Sequence, residues 1–123
     1  MRSEVRIMLA TLLFAAAVAA GAQGYPAKPV RIIVPFAPGG GVDFTTRLLG
    51  QYLAEPLGQQ VLVDNRPGAG GTVGTEIGMK SPPDGYTLTM VSSSYPVLPS
   101  LYKLSFDPVA DIAPIVLVAR TPF

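Results

Sequence analysis

The stretch VRIIVPFAPGGGVD, residues 30–43, decides the fold. Its first five residues form a nearly continuous apolar, β-branched run, which predicts a strand covered on both faces. Pro35 closes that run, and residues 36–42 contain three consecutive glycines that neither a helix nor a strand tolerates well. Asp43 then stands where a helix N-cap belongs, and apolar residues recur at helical spacing from there to Leu57. The stretch therefore predicts a strand, a glycine loop and a helix in immediate succession.

The same order repeats along the rest of the chain. We predict a strand over 61–63 that ends in Asp64, a second glycine loop over 65–71, a helix over 72–80, a turn over 81–85, and strands over 86–91 and 115–119. Gly74 and Gly78, four residues apart, would let the second helix pack closely on the sheet. A β-α-β-α-β order with short connections predicts an α/β fold with parallel strands and right-handed crossovers.

The N-terminal 22 residues read as a secretory signal peptide. Arg2 and Arg6 form a basic start, Ile7 to Ala20 is an uncharged apolar run, and Ala20-Gly21-Ala22 supplies a small-x-small cleavage pattern. The apolar run is shorter than the roughly 18–20 residues of a membrane-spanning helix, so cleavage is favoured over an uncleaved anchor. Without cysteine the chain is not a lipoprotein. We expect a periplasmic protein with no stable membrane insertion after cleavage.

Composition excludes several classes of function. The chain has no His and no Cys, which excludes a Ser-His-Asp triad, a thiol nucleophile and a Cys/His zinc site. Without residues 1–22 the chain carries seven basic and seven acidic residues. A neutral chain is a poor match to nucleic acid or acidic lipid, which both select basic surfaces. We predict neither a metal nor a cofactor.

Three loops, over 35–43, 64–71 and 92–95, follow predicted parallel strands and should meet at one edge of the sheet. That edge is where open α/β sheets bind ligands. Two of these loops lead into helix N-termini, whose unpaired N–H groups and partial positive charge form an anion site without a cationic side chain. Each glycine loop taken alone could equally be an ordinary turn.

Individual side chains in these loops allow two interpretations. Asp43 is more typical of a helix cap than of a group that touches a ligand. Arg66 is the single cation of the two glycine loops, where it either pairs with a carboxylate or lies solvated on the surface. Ser92, Ser93 and Ser94 either offer hydroxyls to a ligand or simply end the strand.

A dinucleotide-binding motif is the competing interpretation of the first glycine loop. The order of strand, glycine loop, helix and a strand ending in Asp64 imitates that motif. However, Phe44 stands where the third glycine belongs, and Val73 stands there in the second loop. We expect Phe44 to hold the helix away from the strand. An exported nucleotide-dependent enzyme therefore remains only as the alternative.

Four segments occur in order and carry a family resemblance. They are Tyr25-Pro26-x-Lys28-Pro29, Val34-Pro35-Phe36-x-Pro38-Gly39-Gly40, Asn65-Arg66-Pro67-Gly68-Ala69-Gly70-Gly71 and Pro83-Asp84-Gly85-Tyr86-Thr87-Leu88. Over residues 25–123 the chain resembles the Bug family of periplasmic solute-binding receptors, which serve tripartite tricarboxylate transporters. The resemblance implies a type II periplasmic-binding fold of two α/β domains that hold a small carboxylate in the cleft, and delivery to the transporter's membrane subunits.

The resemblance also implies which residues bind the carboxylate, through backbone groups and bridging water. The candidates are Phe36, Ala37, Pro38, Gly39, Gly40, Gly41, Asp43, Arg66, Gly68, Ala69, Gly70, Ser92 and Ser93. Members of the family continue well past residue 123. We therefore expect residues 23–123 to be an incomplete N-terminal domain, with the second domain absent. Such a chain is either a fragment of a receptor or a truncated product, which could have no function.

Overall fold

A three-stranded parallel sheet forms the centre of the protein in our computed structural model, which describes residues 24–120. The strands are β1 (Val30–Val34), β2 (Val61–Asn65) and β3 (Thr87–Thr89), arranged in the order β2-β1-β3. Both pairings are parallel, and Ile32 lies opposite Val63 on one side and Leu88 on the other. The sequence prediction of a parallel α/β sheet is therefore confirmed.

The central strand is covered on both of its faces. Ile32, Ile33 and Val34 are each 3% exposed or less. Successive side chains of a strand point to opposite faces. Three consecutive buried residues therefore require packing above and below the sheet, as the apolar run predicted.

Two helices provide that packing. Helix α1 (Gly41–Leu57) contacts β1 and β2, and helix α2 (Thr72–Met79) contacts β1 and β3. The crossover through α1 leads from β1 to β2. The crossover through α2 leads back from β2, past β1, to β3. Right-handed connections that run in opposite directions place their helices on opposite faces of the sheet. Short 3₁₀ turns at Ala69–Gly71 and Tyr95–Val97 precede α2 and the four-residue helix α3 (Leu98–Leu101).

Helix α1 turns a small, polar face toward the sheet. Thr46 is fully buried and its hydroxyl donates to the carbonyl of Val42, which satisfies the group inside the helix. Gly50 is also buried and lies against the side chain of Val61. Phe44 is 68% exposed on the opposite face. The expectation that Phe44 holds the helix away from the strand is therefore wrong, because its side chain points to solvent.

The first helix begins earlier than the sequence predicted. Its N-cap is Gly40, whose backbone is extended at φ −80° and ψ 170°. The prediction that Asp43 is the N-cap is wrong, since Asp43 lies in the first turn of α1. Its carboxylate reaches back to the N–H of Gly39, 2.9 Å away, instead of capping the helix. The glycine loop allows this early start because it can bend sharply enough to meet the helix at residue 41.

The strand predicted over 115–119 is not formed, and β3 is shorter than the predicted 86–91. Ile115, Val116 and Leu117 are between 63% and 75% exposed, and no strand among residues 24–120 pairs with them. A β-branched run becomes a strand only where a neighbour completes its hydrogen bonds. The composition of residues 115–119 therefore favours a strand, but residues 24–120 provide no strand with which it pairs.

Two of the four segments that carry the family resemblance contact each other at the edge of the sheet where β1 and β3 begin. The hydroxyl of Tyr25 donates to the carbonyl of Gly85 at 2.6 Å, and the N–H of Ala27 donates to the hydroxyl of Tyr86 at 2.8 Å. The ammonium of Lys28 lies 4.4 Å from the centre of the Tyr86 ring. These contacts fasten the chain that enters β1 to the turn that enters β3. The segments around 25–29 and 83–88 therefore support the fold rather than the loops at the opposite edge.

The proposed signal peptide, residues 1–22, lies outside the described residues. Between residues 24 and 120, the structure contains no helix with the length and apolar character needed to cross a bilayer.

The close approach of α2 to the sheet depends on glycine, as the spacing of Gly74 and Gly78 predicted. A Cβ atom at Gly74 would lie 2.6 Å from the carbonyl oxygen of Arg66 and 2.7 Å from the Cα of Pro35. At Gly78 it would overlap the side chain of Thr89. Backbone atoms cannot move aside as a flexible side chain can.

We predict that Gly74→Ala lowers the free energy of unfolding by about 1–3 kcal/mol, the usual cost of overpacking. This outweighs the gain of about 1 kcal/mol from replacing glycine inside a helix. Urea denaturation followed by circular dichroism measures the effect. Gly41→Ala is the matched control, because no atom lies within 4 Å of its Cβ position and α1 should be unchanged or slightly stabilised. Equal stability of the two variants would contradict the packing argument.

Candidate functional site

The loops after the three strands meet at one edge of the sheet, because all strands run in the same direction. Between them lies a small cavity of about 10 Å³, enough for roughly one water molecule. Its walls come from each of the three loops and from the first turns of α2 and α3. The lining residues are Pro35, Phe36, Gly70, Gly71, Thr75, Val91, Ser92, Ser94, Tyr95 and Leu98. The three loops proposed from the sequence are therefore neighbours in space.

Three of the candidate ligand-binding residues line this cavity, namely Phe36, Gly70 and Ser92. The other ten do not: Ala37, Pro38, Gly39, Gly40, Gly41, Asp43, Arg66, Gly68, Ala69 and Ser93. Pro35, Gly71, Ser94 and Tyr95 belong to loops that the sequence had singled out. Val91 was assigned to the third strand, and Thr75 and Leu98 were missed, since they enter from helical turns whose direction a one-dimensional pattern does not give.

The loop from β1 to α1 presents backbone donors at its helical end. The first internal bond of α1 runs from the N–H of Phe44 to the carbonyl of Gly40, at 2.9 Å. The N–H groups of Gly41, Val42 and Asp43 therefore precede the first helical bond, and Gly40 has no side chain to accept from them. These N–H groups lie at the N-terminal end of the 17-residue helix α1, which carries its partial positive charge. This loop has the donors that an anion requires.

The loop from β2 to α2 uses several of its N–H donors within its own turn. The N–H of Gly71 donates to the carbonyl of Gly68 at 2.9 Å, and the N–H of Val73 reaches the same oxygen at 3.5 Å. The N–H of Thr72 donates to the carbonyl of Ala69. The tight 3₁₀ turn folds these carbonyls back over the start of α2. The two glycine loops therefore differ in what they can offer a ligand.

Positive φ angles make that turn possible. Gly70 and Gly71 have φ of 65° and 100°, and Ala69 has φ of 45°, which is uncommon for a residue with a Cβ atom. The side chain of Tyr102 lies against Gly70, where a Cβ atom would stand 3.1 Å from the phenol oxygen. The hydroxyl of Thr72 is buried and has no hydrogen-bond partner among the described residues.

Asp43 is the most enclosed charged residue near the first loop, with 3% of its surface exposed. One carboxylate oxygen accepts from the N–H of Gly39 at 2.9 Å and from Nε of Arg47 at 3.0 Å. The other accepts from Nδ2 of Asn65 at 2.9 Å. Both carboxylate oxygens therefore accept hydrogen bonds from the same chain. It organises the loop from within.

These hydrogen bonds lower the pKa of Asp43 well below its ordinary value of 3.8, with the bond from Arg47 as the largest cause. The N–H of Gly39 and the amide of Asn65 act in the same direction, and burial opposes them. The same contact with Asp43 raises the pKa of the Arg47 guanidinium. Asp43 therefore stays ionised throughout the neutral and mildly acidic range.

Arg66 pairs with a carboxylate of its own chain. Its Nε donates to Asp64 at 2.8 Å, while 52% of its side chain is exposed. Arg31 approaches the other oxygen of Asp64 at 3.4 Å. Exposed pairs of this kind contribute little to stability. Arg66 therefore combines the two interpretations that the sequence left open, since it is both paired and largely solvated.

The serines after β3 bond to one another. The hydroxyls of Ser92 and Ser94 lie 2.7 Å apart, and the carbonyl of Ser92 accepts from the N–H of Tyr95 at 3.0 Å. This short turn leads into the 3₁₀ segment and directs Ser92 and Ser94 to the cavity. Within residues 24–120, no three acidic side chains gather as ligands for a metal ion.

Comparison with known proteins places this arrangement in a family. The model of the tripartite tricarboxylate transporter family receptors matches residues 45–123. BugT of Bordetella pertussis is 42% identical over 121 residues, which are 96% of this chain and 36% of that protein. The structure of the periplasmic binding protein BugD superposes with a TM-score of 0.68 at 40% identity, over 71% of this chain and 29% of that one.

A third match was solved with a ligand. MatC from Rhodopseudomonas palustris with bound malate superposes with a TM-score of 0.61 at 33% identity, over 71% of this chain and 30% of that one. These likenesses confirm the fold class and the family resemblance. The chain spans about a third of the length of the relatives that it matches.

We predict that Asp43→Asn destabilises the protein at neutral pH and that this difference narrows in acid. A lowered folded-state pKa contributes stability that is complete above the unfolded pKa of 3.8 and is lost progressively as the pH falls from there toward the folded-state pKa. Thermal midpoints of both proteins between pH 7 and pH 2 measure the difference.

The matched control is Gln51→Ala, which removes an uncharged, exposed side chain from the same helix. Its offset from the wild type should not change with pH. If the difference in thermal midpoint between Asp43→Asn and the wild type stays constant down to pH 2, the partners of Asp43 do not stabilise its ionised form.

Proposed function

The chain belongs to the tripartite tricarboxylate transporter family of receptors, and on that premise we propose that it binds a small carboxylate for such a transporter, without catalysis. The carboxylate meets the loop from β1 to α1, and the bound solute is then delivered to the membrane subunits. One observation carries the proposal, namely the N–H groups of Gly41, Val42 and Asp43 at the start of α1. They precede the first helical bond, and a carboxylate is an acceptor suited to them.

The charge of the surrounding residues supports recognition through the backbone. Arg47 of α1 and Arg66 of the second loop are each bonded to a carboxylate of the same chain. The helix end therefore supplies the local positive potential, and it acts on any carboxylate of suitable size. Phe36, Gly70 and Ser92 line the small cavity between the loops, whose size suits a bridging water molecule beside the solute.

One relative supports the solute class, because MatC was solved with bound malate. We propose a dicarboxylate or tricarboxylate as the solute for this chain as well. Capture by receptors of this kind involves closure of two domains on the ligand. Residues 24–120 would supply one wall of that cleft.

We predict that malate, succinate or citrate raises the thermal midpoint and that NAD and ATP do not. A ligand at one hundred times its Kd stabilises the folded state by about 2.7 kcal/mol through mass action.

The variant that tests the helix N-terminus most directly is Gly41→Pro, which removes one N–H at the first position of α1. Proline is well tolerated there, and the extended backbone of Gly40 suits a residue before proline. We expect the affinity for the carboxylate to fall about tenfold to a hundredfold, the usual range for a hydrogen bond to a charged group.

Gly41→Ala is the matched control, since it keeps the N–H and has free space for its methyl group. It should bind as the wild type does. Stabilisation by NAD or ATP instead of the carboxylates would overturn the proposal in favour of a nucleotide-dependent enzyme. Equal affinity of Gly41→Pro and Gly41→Ala would remove the helix N-terminus from the site.

We further propose that residues 1–22 are removed on export and that the mature chain resides in the periplasm, where the binding proteins that resemble it are found. Mass spectrometry of the chain released by osmotic shock should give an N-terminus at Gln23. Ala20→Leu with Ala22→Leu, which replaces both small residues of the cleavage pattern, should leave the precursor uncleaved in the membrane fraction. Recovery of the full 123-residue wild-type chain from the cytosol would contradict this proposal.

A further inference from the structure

We propose that Asn65, Asp43 and Arg47 form a loop latch that sets the shape of the β1–α1 loop before any ligand arrives. These three are positioning residues, and none of them touches the ligand through its side chain. The inference rests on the proposed function for its effect on affinity. Its structural part, the ordering of a loop in the free protein, stands on its own.

The position of Asn65 follows from the register of the sheet. It is the last residue of β2 and lies opposite Val34, the last residue of β1. The N–H of Arg66 continues this pairing by donating to the carbonyl of Val34 at 2.8 Å. Asn65 is therefore held beside the point where the first loop leaves the sheet.

The side-chain amide of Asn65 uses both of its polar atoms. Its Nδ2 donates to the carbonyl of Phe36 at 3.1 Å and to the carboxylate of Asp43 at 2.9 Å. Its Oδ1 accepts from Nη2 of Arg47 at 3.0 Å. Two donated bonds and one accepted bond require a carboxamide, since a carboxylate cannot donate and an ammonium cannot accept.

The latch holds the loop at two places. Asn65 fixes the carbonyl of Phe36 near the start of the loop, and Asp43 fixes the N–H of Gly39 near its end. Only Ala37 and Pro38 lie between these anchors, and proline restricts the backbone further. The latch also contains Asp43 itself, whose N–H is among the open donors of α1. Holding the loop therefore holds those donors.

A preformed loop binds more tightly because the ligand does not have to order it. Three glycines in succession would otherwise give the loop from Pro38 to Val42 considerable freedom. The latch restores the order that these glycines remove, while their small size still lets a ligand approach the backbone. The motif residue Asn65, assigned to the second loop by sequence, thus acts on the first.

The experiment compares four variants with the wild type, using the whole chain. Asn65→Ala removes the latch, and Asn65→Asp keeps the shape of the side chain but removes its donors and adds a charge beside Asp43. Arg47→Met keeps an aliphatic stem, and Arg47→Lys keeps the charge without the fork that reaches both Asp43 and Asn65. Arg47 is 49% exposed, so its variants should fold even if those of Asn65 do not. Gln51→Ala, on the exposed side of α1, is the control.

The first readout is the backbone order of residues 36–41 in the ligand-free protein, measured by ¹⁵N relaxation. We expect order parameters near 0.85 in the wild type and in Gln51→Ala, and a decrease toward 0.6 in Asn65→Ala, Asn65→Asp and Arg47→Met. Arg47→Lys should fall between them. The amide proton of Gly39 should shift upfield in the same variants as its bond to Asp43 weakens. Unchanged order in folded Asn65→Ala and Arg47→Met would overturn the latch.

The second readout is the Kd for malate from calorimetry. Asn65→Ala and Arg47→Met should bind about tenfold more weakly, and Gln51→Ala should bind as the wild type does. Weaker binding with unchanged loop order would mean that these side chains contact the ligand, which also contradicts the proposal. If the wild type itself binds neither malate, succinate nor citrate, the proposed function fails. The latch is then judged by the order parameters alone.

Discussion

The parallel pairing of β1 with both of its neighbours is the constraint on which the rest of the structure depends. It buries an apolar strand in the middle of the sheet and requires a helix on each face to cover it. It also forces every strand to end at the same edge, so the loops after β1, β2 and β3 become neighbours. A single antiparallel strand would have sent one loop to the opposite edge. Both the core and the candidate site therefore follow from one choice of strand direction.

The glycines of α2 and of the two glycine loops serve different purposes. At Gly74 and Gly78 in α2 the missing side chain allows the helix to approach the sheet. In the second loop, positive φ angles at Gly70 and Gly71 let the backbone bond to itself. In the first loop, the glycines lead directly into α1, whose first N–H groups precede the first helical bond. Similar composition thus produces a turn that bonds to itself in one place and a loop that leads directly into a helix N-terminus in the other.

Much of the fold could be predicted from the sequence because it depends on local patterns. The apolar run of β1, the helical spacing of α1 and the turn residues between elements all act over a few positions. The extent of the elements was less predictable. Residues 115–119 have the composition of a strand but lack a partner among residues 24–120. Phe44 was assigned to the wrong face, because α1 packs through small residues such as Thr46 and Gly50 instead of its largest side chains.

By itself, the sequence determined the parallel α/β class, the three loops at one edge and the family to which the chain belongs. Those features come from periodicity, punctuation by Gly and Pro, and motif order, which one dimension records. Only the tertiary structure decided how the two glycine loops use their N–H groups, and that the side chain of Asn65 bonds to the first loop. Hydrogen bonds join Asn65 to Phe36 and Asp43 across 29 and 22 positions of the chain. Such partners are chosen by the register of the sheet, which no local pattern specifies.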